Sequence, residues 1–537
     1  MSDWGQGSKN NNIGWGQGAV NNSINWGLSH SESWAGDTDI NGGVSYFVRP
    51  SGTTYGDGSG TSYDNAWSGF TSIEWALLEN QTLNVCGTHT ETLTVQANCT
   101  IEMGNIAEAG YIDADTLEFG IYIKDFDITG KNLFVENAKL YSLPNTYTAN
   151  IYYENSTSVI YNAISNNCEN QGFQHWSGAN VTYHGNIISN NNNDEGISGH
   201  ENSIIHLASD CHFESKNNYQ AGINVTNDTI ITIDGTLDFS NNGTGATVYG
   251  DILLTGDSIC TINSDITLSR IFLSDRNIIN INAGNYGTIY LFNNDSICNI
   301  NSCAVDIFTN LGGTINANNC IINNYTMTKG TLNLSDSYVL LNSTFLIDGA
   351  GTANITRCLF ENGTNIDQMI DNVKGNLNID YSILKGCVAG KWSIISRDTS
   401  LSNIVNNVVI DALGIGRGIA YFKTTNVEYN NLIITNVTNA FGVVVSGVTM
   451  TINNCILFNF VTKNASSGTL SEVNSLYTNP QFTDTANDDY STPITSPAFE
   501  SGVTIANNVG ILSADWTIPS VTTKEQGTNW NRGAYVN

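Results

Sequence analysis

Five stretches of the chain align on one another: GGTINANNCIINN from Gly312, KGTLNLSDSYVLLNS from Lys329, AGTANITRCLFENG from Ala350, KGNLNIDYSILKGC from Lys374 and GVTMTINNCILFNF from Gly447. Each reads as a short alternating strand, two polar residues, one small residue and a second apolar run. The small position is Cys320, Ser337, Cys358, Ser382 and Cys455 in turn, and Leu432 of NVEYNNLIITN falls on the same column. A unit this short cannot bury an apolar face alone and must stack on its neighbours. Steps of about 17 to 26 residues separate the copies. They are too short for propeller blades, and they lack the helix of a leucine-rich repeat.

Short strands that turn at Asn, Gly and Asp and keep one inward column predict an all-β fold, a right-handed parallel β-helix over residues 45–470. Parallel pairing between coils would stack inward side chains and let turn asparagines form hydrogen-bonded ladders. Asparagine also tolerates the left-handed backbone that a sharp turn between strands needs. At about 4.8 Å per layer, roughly twenty coils would run about 90 to 100 Å, with open ends that need covering.

Composition agrees. The chain has 537 residues, only 6 Pro, 51 Gly and 13% charged residues. Its 19 Lys+Arg against 49 Asp+Glu leave a net charge of −30, which repels a nucleic-acid backbone or an anionic membrane. No 18-residue apolar run suggests a membrane-spanning helix, and the opening MSDWGQGSKNNN has neither the basic nor the apolar region of a secretory signal. Eleven cysteines are scattered without a C-x-x-C pair and are expected as free, buried thiols.

Both ends of the repeat resemble a known family. The segment YFVRPSGTTYGDGSGTSYDNAWSGFTSIEWALLENQTLNVCGTHTETLTV, from Tyr46, is similar to the entry of pectate-lyase-like β-helix proteins. The resemblance implies a short helix near Ile73 to Leu78, with Gly87 and Glu91 in the strand that closes it. YTNPQFTDTANDDYSTPITSPAFESGV, from Tyr477, resembles the tail of the same superfamily through Asn479, Pro480, Phe482, Asp484, Asp489, Tyr490, Ser496, Pro497, Ala498 and Gly502, then Gly533, Ala534 and Tyr535. It implies a C-terminal capping segment over 471–537. The superfamily hosts lyases, hydrolases and proteins without chemistry, so the likeness implies fold and not activity.

Residues 1–44 are of another kind. Trp4-Gly5, Trp15-Gly16 and Trp26-Gly27 recur every eleven residues among asparagines, and SESWAGDTDI with Trp34 follows. The segment has no aliphatic face and gains order only by docking. It resembles the attachment segment at the head of bacteriophage fibre and spike proteins. That implies a virion location, with Trp4, Trp15, Trp26 and Trp34 filling pockets on other virion proteins.

Chemistry could reside in one window. His175, His184, His200, His206 and His212 lie together with Asp194, Glu195 and Glu201, and Gly172, Gly196 and Gly222 stand 24 and 26 residues apart. That spacing places His175 and His200 on one face of adjacent coils. With Asp194, Glu195 and Glu201 they form a candidate catalytic set for glycoside hydrolysis. The alternatives are histidine metal binding or polar residues stacked only because the coils stack. Polyuronate β-elimination has little to work with, since Lys216 is the single basic residue between 140 and 269. The reading is a structural appendage of a bacteriophage, a tail spike, tail fibre or head fibre. It is expected as a homotrimer that recognises host surface glycan, with no cofactor and no metal. The alternative is a polysaccharide-degrading β-helix enzyme.

Overall fold

The computed structural model describes residues 43–537, apart from 106, 140–147, 244–249, 294, 364–367, 398–401, 465, 518 and 537. Trp4, Trp15, Trp26 and Trp34, expected above as attachment residues, lie outside the described residues. From Val44 onward the chain is one compact unit. It is an all-β solenoid in which nearly every strand pairs in parallel with its counterpart one coil away.

Each coil feeds three ladders. The first stacks Phe119–Lys124, Ala149–Glu154, Gln171–Trp176, Ile197–Gly199, Ile223–Val225 and Ile252–Leu254. The second carries Ile204–Leu207, Ile230–Ile233, Ile259–Ile262, Ile278–Ile281 and their successors to Thr469–Val473. The third includes Tyr338–Leu341, Leu359–Asn362, Ile383–Lys385 and Val409–Asp411. Alternation within each strand sends one set of side chains inward, as period two requires. Ile151, Phe173, Ile197, Ile223, Ile252 and Ile271 form one such inward row, all closed to solvent.

The column read from the repeat lies inside. Cys320, Ser337, Cys358, Ser382 and Cys455 are all fully buried. The register of the following residues, Ile321↔Tyr338↔Leu359↔Ile383↔Val409↔Ile433↔Ile456, places Val408 and Leu432 on the same column. Just before it runs a row of left-handed residues: Asn319 (φ 53°), Asp336, Arg357, Tyr381, Asn407, Asn431 and Asn454 (φ 51°). This is the corner between the second and third ladders. The turn explains the small inward residue, because a chain reversing in one residue leaves little room inside. The serines also serve the backbone: Ser337 Oγ accepts from Cys320 N at 3.0 Å, and Ser382 Oγ from Cys358 N at 3.2 Å. Arg357, a costly residue at positive φ, is held by a two-pronged ion pair to Asp336 at 2.6 and 2.8 Å.

Asparagine ladders form as well. Asn280, Asn299, Asn316, Asn333, Asn354 and Asn378 pass side-chain amide hydrogen bonds of 2.7 to 2.8 Å from coil to coil.

Two expectations about the ends need refinement. The entry segment has no α-helix near Ile73 to Leu78. It has two 3₁₀ turns, Phe70–Ser72 and Trp75–Leu77, and Glu91 holds the first by accepting from Phe70 N at 2.9 Å. Three-residue turns suffice where the next strand must start at once. The C-terminal segment also does more than follow the last coil. Tyr490, Ala498, Ile511, Trp516, Ala534 and Tyr535 pack on Leu359, Ile383, Val409, Ile433 and Ile456, the outward row of the third ladder. Lys385 ties it down through Glu361 at 3.1 Å and Asp488 at 2.5 Å, and Arg532 Nη1 donates to Cys455 O at 2.9 Å.

Two outcomes are expected. All eleven cysteines are free and buried, and burial pushes the Cys358 thiol up to about 12. A thiol-reactive dye should label almost none in the native protein and eleven in denaturant; rapid labelling of the native protein would contradict the inward column. Truncation after Leu476 should uncover the third-ladder apolar row. Strong binding of an apolar fluorescent dye and a lower melting temperature would follow; an unchanged melt would show that the segment does not hold the coils.

Candidate functional site

The candidate window folds into three successive coils, and the glycine spacing gives their register correctly. Phe173↔Ile197↔Ile223 pairing aligns Gly172, Gly196 and Gly222. A Cβ on Gly172 would lie 2.0 Å from Ser189 Oγ, so the position accepts only glycine.

The same register separates the two candidate histidines. His175 pairs with Gly199, not with His200. The offset is one residue, and one residue reverses the face. His175 therefore points into the core, 0% exposed. Its Nδ1 meets Ser198 O at 2.8 Å, its Nε2 meets Tyr183 OH at 2.8 Å, and it stacks on Tyr153 at 5.1 Å. Burial lowers its pKa to about 4, so it is a neutral packing residue. His200 faces outward, half-buried, against Trp176 at 4.7 Å, with Thr226 Oγ1 3.1 Å from Nδ1. Glu201 lies past the strand in a left-handed turn (φ 48°), accepts from Ser177 Oγ at 2.9 Å, and borders an acidic cleft with Asp228, Asp257 and Asp275.

Of the five candidates the structure joins only Asp194 and Glu195, at the entry of strand Ile197–Gly199. Glu195 is 2% exposed. Asn224 Nδ2 donates to its Oε1 at 2.8 Å, and Gln171 Nε2 donates to Asp194 Oδ2 at 3.0 Å. The remaining oxygens, Asp194 Oδ1 and Glu195 Oε2, have no donor. Burial raises both carboxyls, and the neighbouring Asp194 charge drives Glu195 further up. Both carboxyls are therefore held protonated to a higher pH than free ones.

Around this pair lies a row that the sequence reading passed over. Tyr122, Tyr152, Gln174, Ser198, Asn224 and Leu253 are in register on the outward side of the first ladder. Tyr122 and Tyr152 stack at 5.1 Å, and Phe119 closes on Tyr152 at 4.9 Å. Gln174 and Ser198 are 0% exposed although they face away from the core. Both polar atoms of the Gln174 amide, Ser198 Oγ, Gln171 Oε1 and Asn224 Oδ1 are buried without a hydrogen-bond partner. So many orphan polar atoms in one row are unusual in a native fold. The signal was present in QGFQHW, where Gln174 and Trp176 are out of phase with Phe173 and His175.

The other histidines each meet one partner in the next coil: His184 with Asp210 at 2.7 Å, His206 with Asp234 at 2.8 Å and His212 with Thr236 at 2.9 Å. Among the described residues no three His, Cys, Asp or Glu side chains converge as metal ligands. No family model matches the chain, and no curated protein matches it in sequence.

The pair sets a pH dependence. A carboxyl raised on folding stabilises the fold below its unfolded pKa, and that contribution is lost as pH rises through the folded value. Glu195→Gln removes this loss. It should therefore be more stable than the parent at pH 8.5, by about 1–3 kcal/mol, and nearly equal at pH 4.5. His175 acts in the opposite sense, since its stabilisation is full above 6.5 and falls away toward 4. Equal melting of parent and Glu195→Gln at both pH values would refute a buried carboxyl that loses its proton only at raised pH.

Proposed function

We propose that this chain is a right-handed parallel β-helix belonging to a bacteriophage appendage. Residues 1–40 would hold it to the particle, and the outward side of its first ladder would bind a host surface polysaccharide. The hand follows from the general preference of parallel crossovers. The observation that carries the binding reading is the row of unpartnered polar atoms beside stacked aromatic rings. Its acceptors at Glu195, Asp194 and Gln174 and its donors at Gln174 and Ser198 are closed to solvent, so a ligand reaches them by displacing the side chains that cover them. Sugar hydroxyls both donate and accept, and sugar rings present an apolar face to aromatic side chains. A phosphate or carboxylate ligand would meet the Asp194–Glu195 pair and be repelled.

The second reading is cleavage, favoured by a carboxyl that keeps a proton near neutral pH. Glycoside hydrolysis needs two carboxyls flanking the scissile bond with room for the sugar between them, and Glu195 is closed to solvent beside its sequence neighbour Asp194. The pair therefore suits holding a hydroxyl better than acid–base chemistry at a glycosidic bond.

Binding to a panel of immobilised bacterial surface polysaccharides tests the reading. Trp176→Ala and Gln174→Ala should each weaken the selected glycan about tenfold, or about 1.4 kcal/mol, with the melting temperature held. Unchanged affinity in both variants would remove this face as the site. Release of reducing ends by the parent and not by Glu195→Gln would favour cleavage instead. Deleting residues 1–40 should abolish incorporation into purified particles; normal occupancy would refute the attachment role.

A further inference from the structure

The outward side of the second ladder has a composition that the rest of the chain does not share. Over six successive coils its outward side chains are Ile259, Thr261 and Asn263; Ile278, Asn280 and Asn282; Ile297, Asn299 and Asn301; Thr314, Asn316 and Asn318; Thr331, Asn333 and Ser335; Thr352, Asn354 and Thr356. None is charged. Toward the start of the chain, Ile204 (43% exposed) and Ile230 (39% exposed) extend the isoleucines into a continuous ridge of five residues in register. The coils pair here without a bulge. The side chains form straight rows, and the Asn280 to Asn378 ladder locks the middle one. Charges lie at the rims, with Asp257 paired to Arg276 on one side and Asp336 paired to Arg357 on the other, and at the end of the ridge, where Asp234 pairs with His206 beside Ile204 and Ile230.

We propose that this face docks a second copy of this chain, face to face. The constraint on the partner is electrostatic and independent of the glycan site. A body with net charge −30 repels its own copies wherever its surface is acidic, whereas a cationic partner would be drawn to the acidic surfaces. The surface on which two such polyanions can meet without desolvating or opposing charges is this neutral one. Its rigid, regular relief lets the isoleucine ridge of one copy lie against the threonine and asparagine rows of the other. A single self-complementary patch per chain closes on one partner about a twofold axis, so the product is a dimer in place of the homotrimer expected from the sequence. The six uncharged coils, at about 4.8 Å each and a strand width of about 13 Å, give roughly 370 Å² in plan. That is under half of the ~800 Å² per partner of a standard interface, so the contact belongs to the weak, micromolar class.

Light scattering and sedimentation of the full chain across 1 to 200 μM test this. The expected result is a reversible shift from one chain mass of 58.0 kDa to twice that mass. Association should strengthen when salt is raised from 0.05 to 0.5 M, because salt screens repulsion between like-charged bodies; an interface built on ion pairs would weaken. Ile278→Asp and Thr331→Asp, on half-buried outward strand positions, should each raise the dissociation constant at least tenfold while melting like the parent. Ile278→Ser, uncharged, should retain most of the association and guard against a folding artefact. A monomer at 200 μM, a trimer, an oligomer indifferent to both aspartates, or an oligomer lost on deleting residues 1–42 would each overturn the proposal.

Discussion

Everything in this chain depends on parallel backbone pairing in direct register between successive coils. Once Phe173 pairs with Ile197 and Ile197 with Ile223, every neighbouring side chain is assigned to a column. The column then decides whether a residue is core, corner or surface. Backbone hydrogen bonds supply the regularity; the inward isoleucine, phenylalanine and cysteine columns supply the burial that offsets the entropy of ordering so long a chain. Asparagine serves both roles, adopting left-handed geometry at the corners and passing amide hydrogen bonds along the ladders.

The same register produces the three kinds of surface. On the third ladder an outward apolar row is covered by the chain's own C-terminal segment. On the second, the outward positions of the six coils from Ile259 to Thr356 are uncharged. On the first, polar groups lie buried on the outward side without partners, next to stacked tyrosines. A regular scaffold makes such differences informative, since each coil would otherwise repeat its neighbour.

Much of the fold was legible because periodicity is a property of sequence. The Cys320 to Cys455 column and the spacing of Gly172, Gly196 and Gly222 both identify register, and small or glycine positions are sterically demanded there. The candidate site was less legible. Aligning His175 with His200 is wrong by one residue, and in a strand that error exchanges core for surface. Asp194 and Glu195 were readable as a pair, but their burial was not, because what covers an outward face is decided by tertiary structure. Gln174 and Ser198 carry no motif; only their phase relative to Phe173 and Ile197 marks them. The entry helix expected from family likeness became two 3₁₀ turns, with Glu91 holding the first.

The central claim is that the outward row of the first ladder is a ligand site for sugar hydroxyls. An experimental structure of the chain with an oligosaccharide from the polysaccharide it binds tests this most directly. The expected result is sugar hydroxyls within hydrogen-bond distance of Gln174 and Glu195 and a ring against Tyr122, Tyr152 or Trp176. A sugar seated on another face, with the Gln174 row filled by ordered water alone, would contradict it.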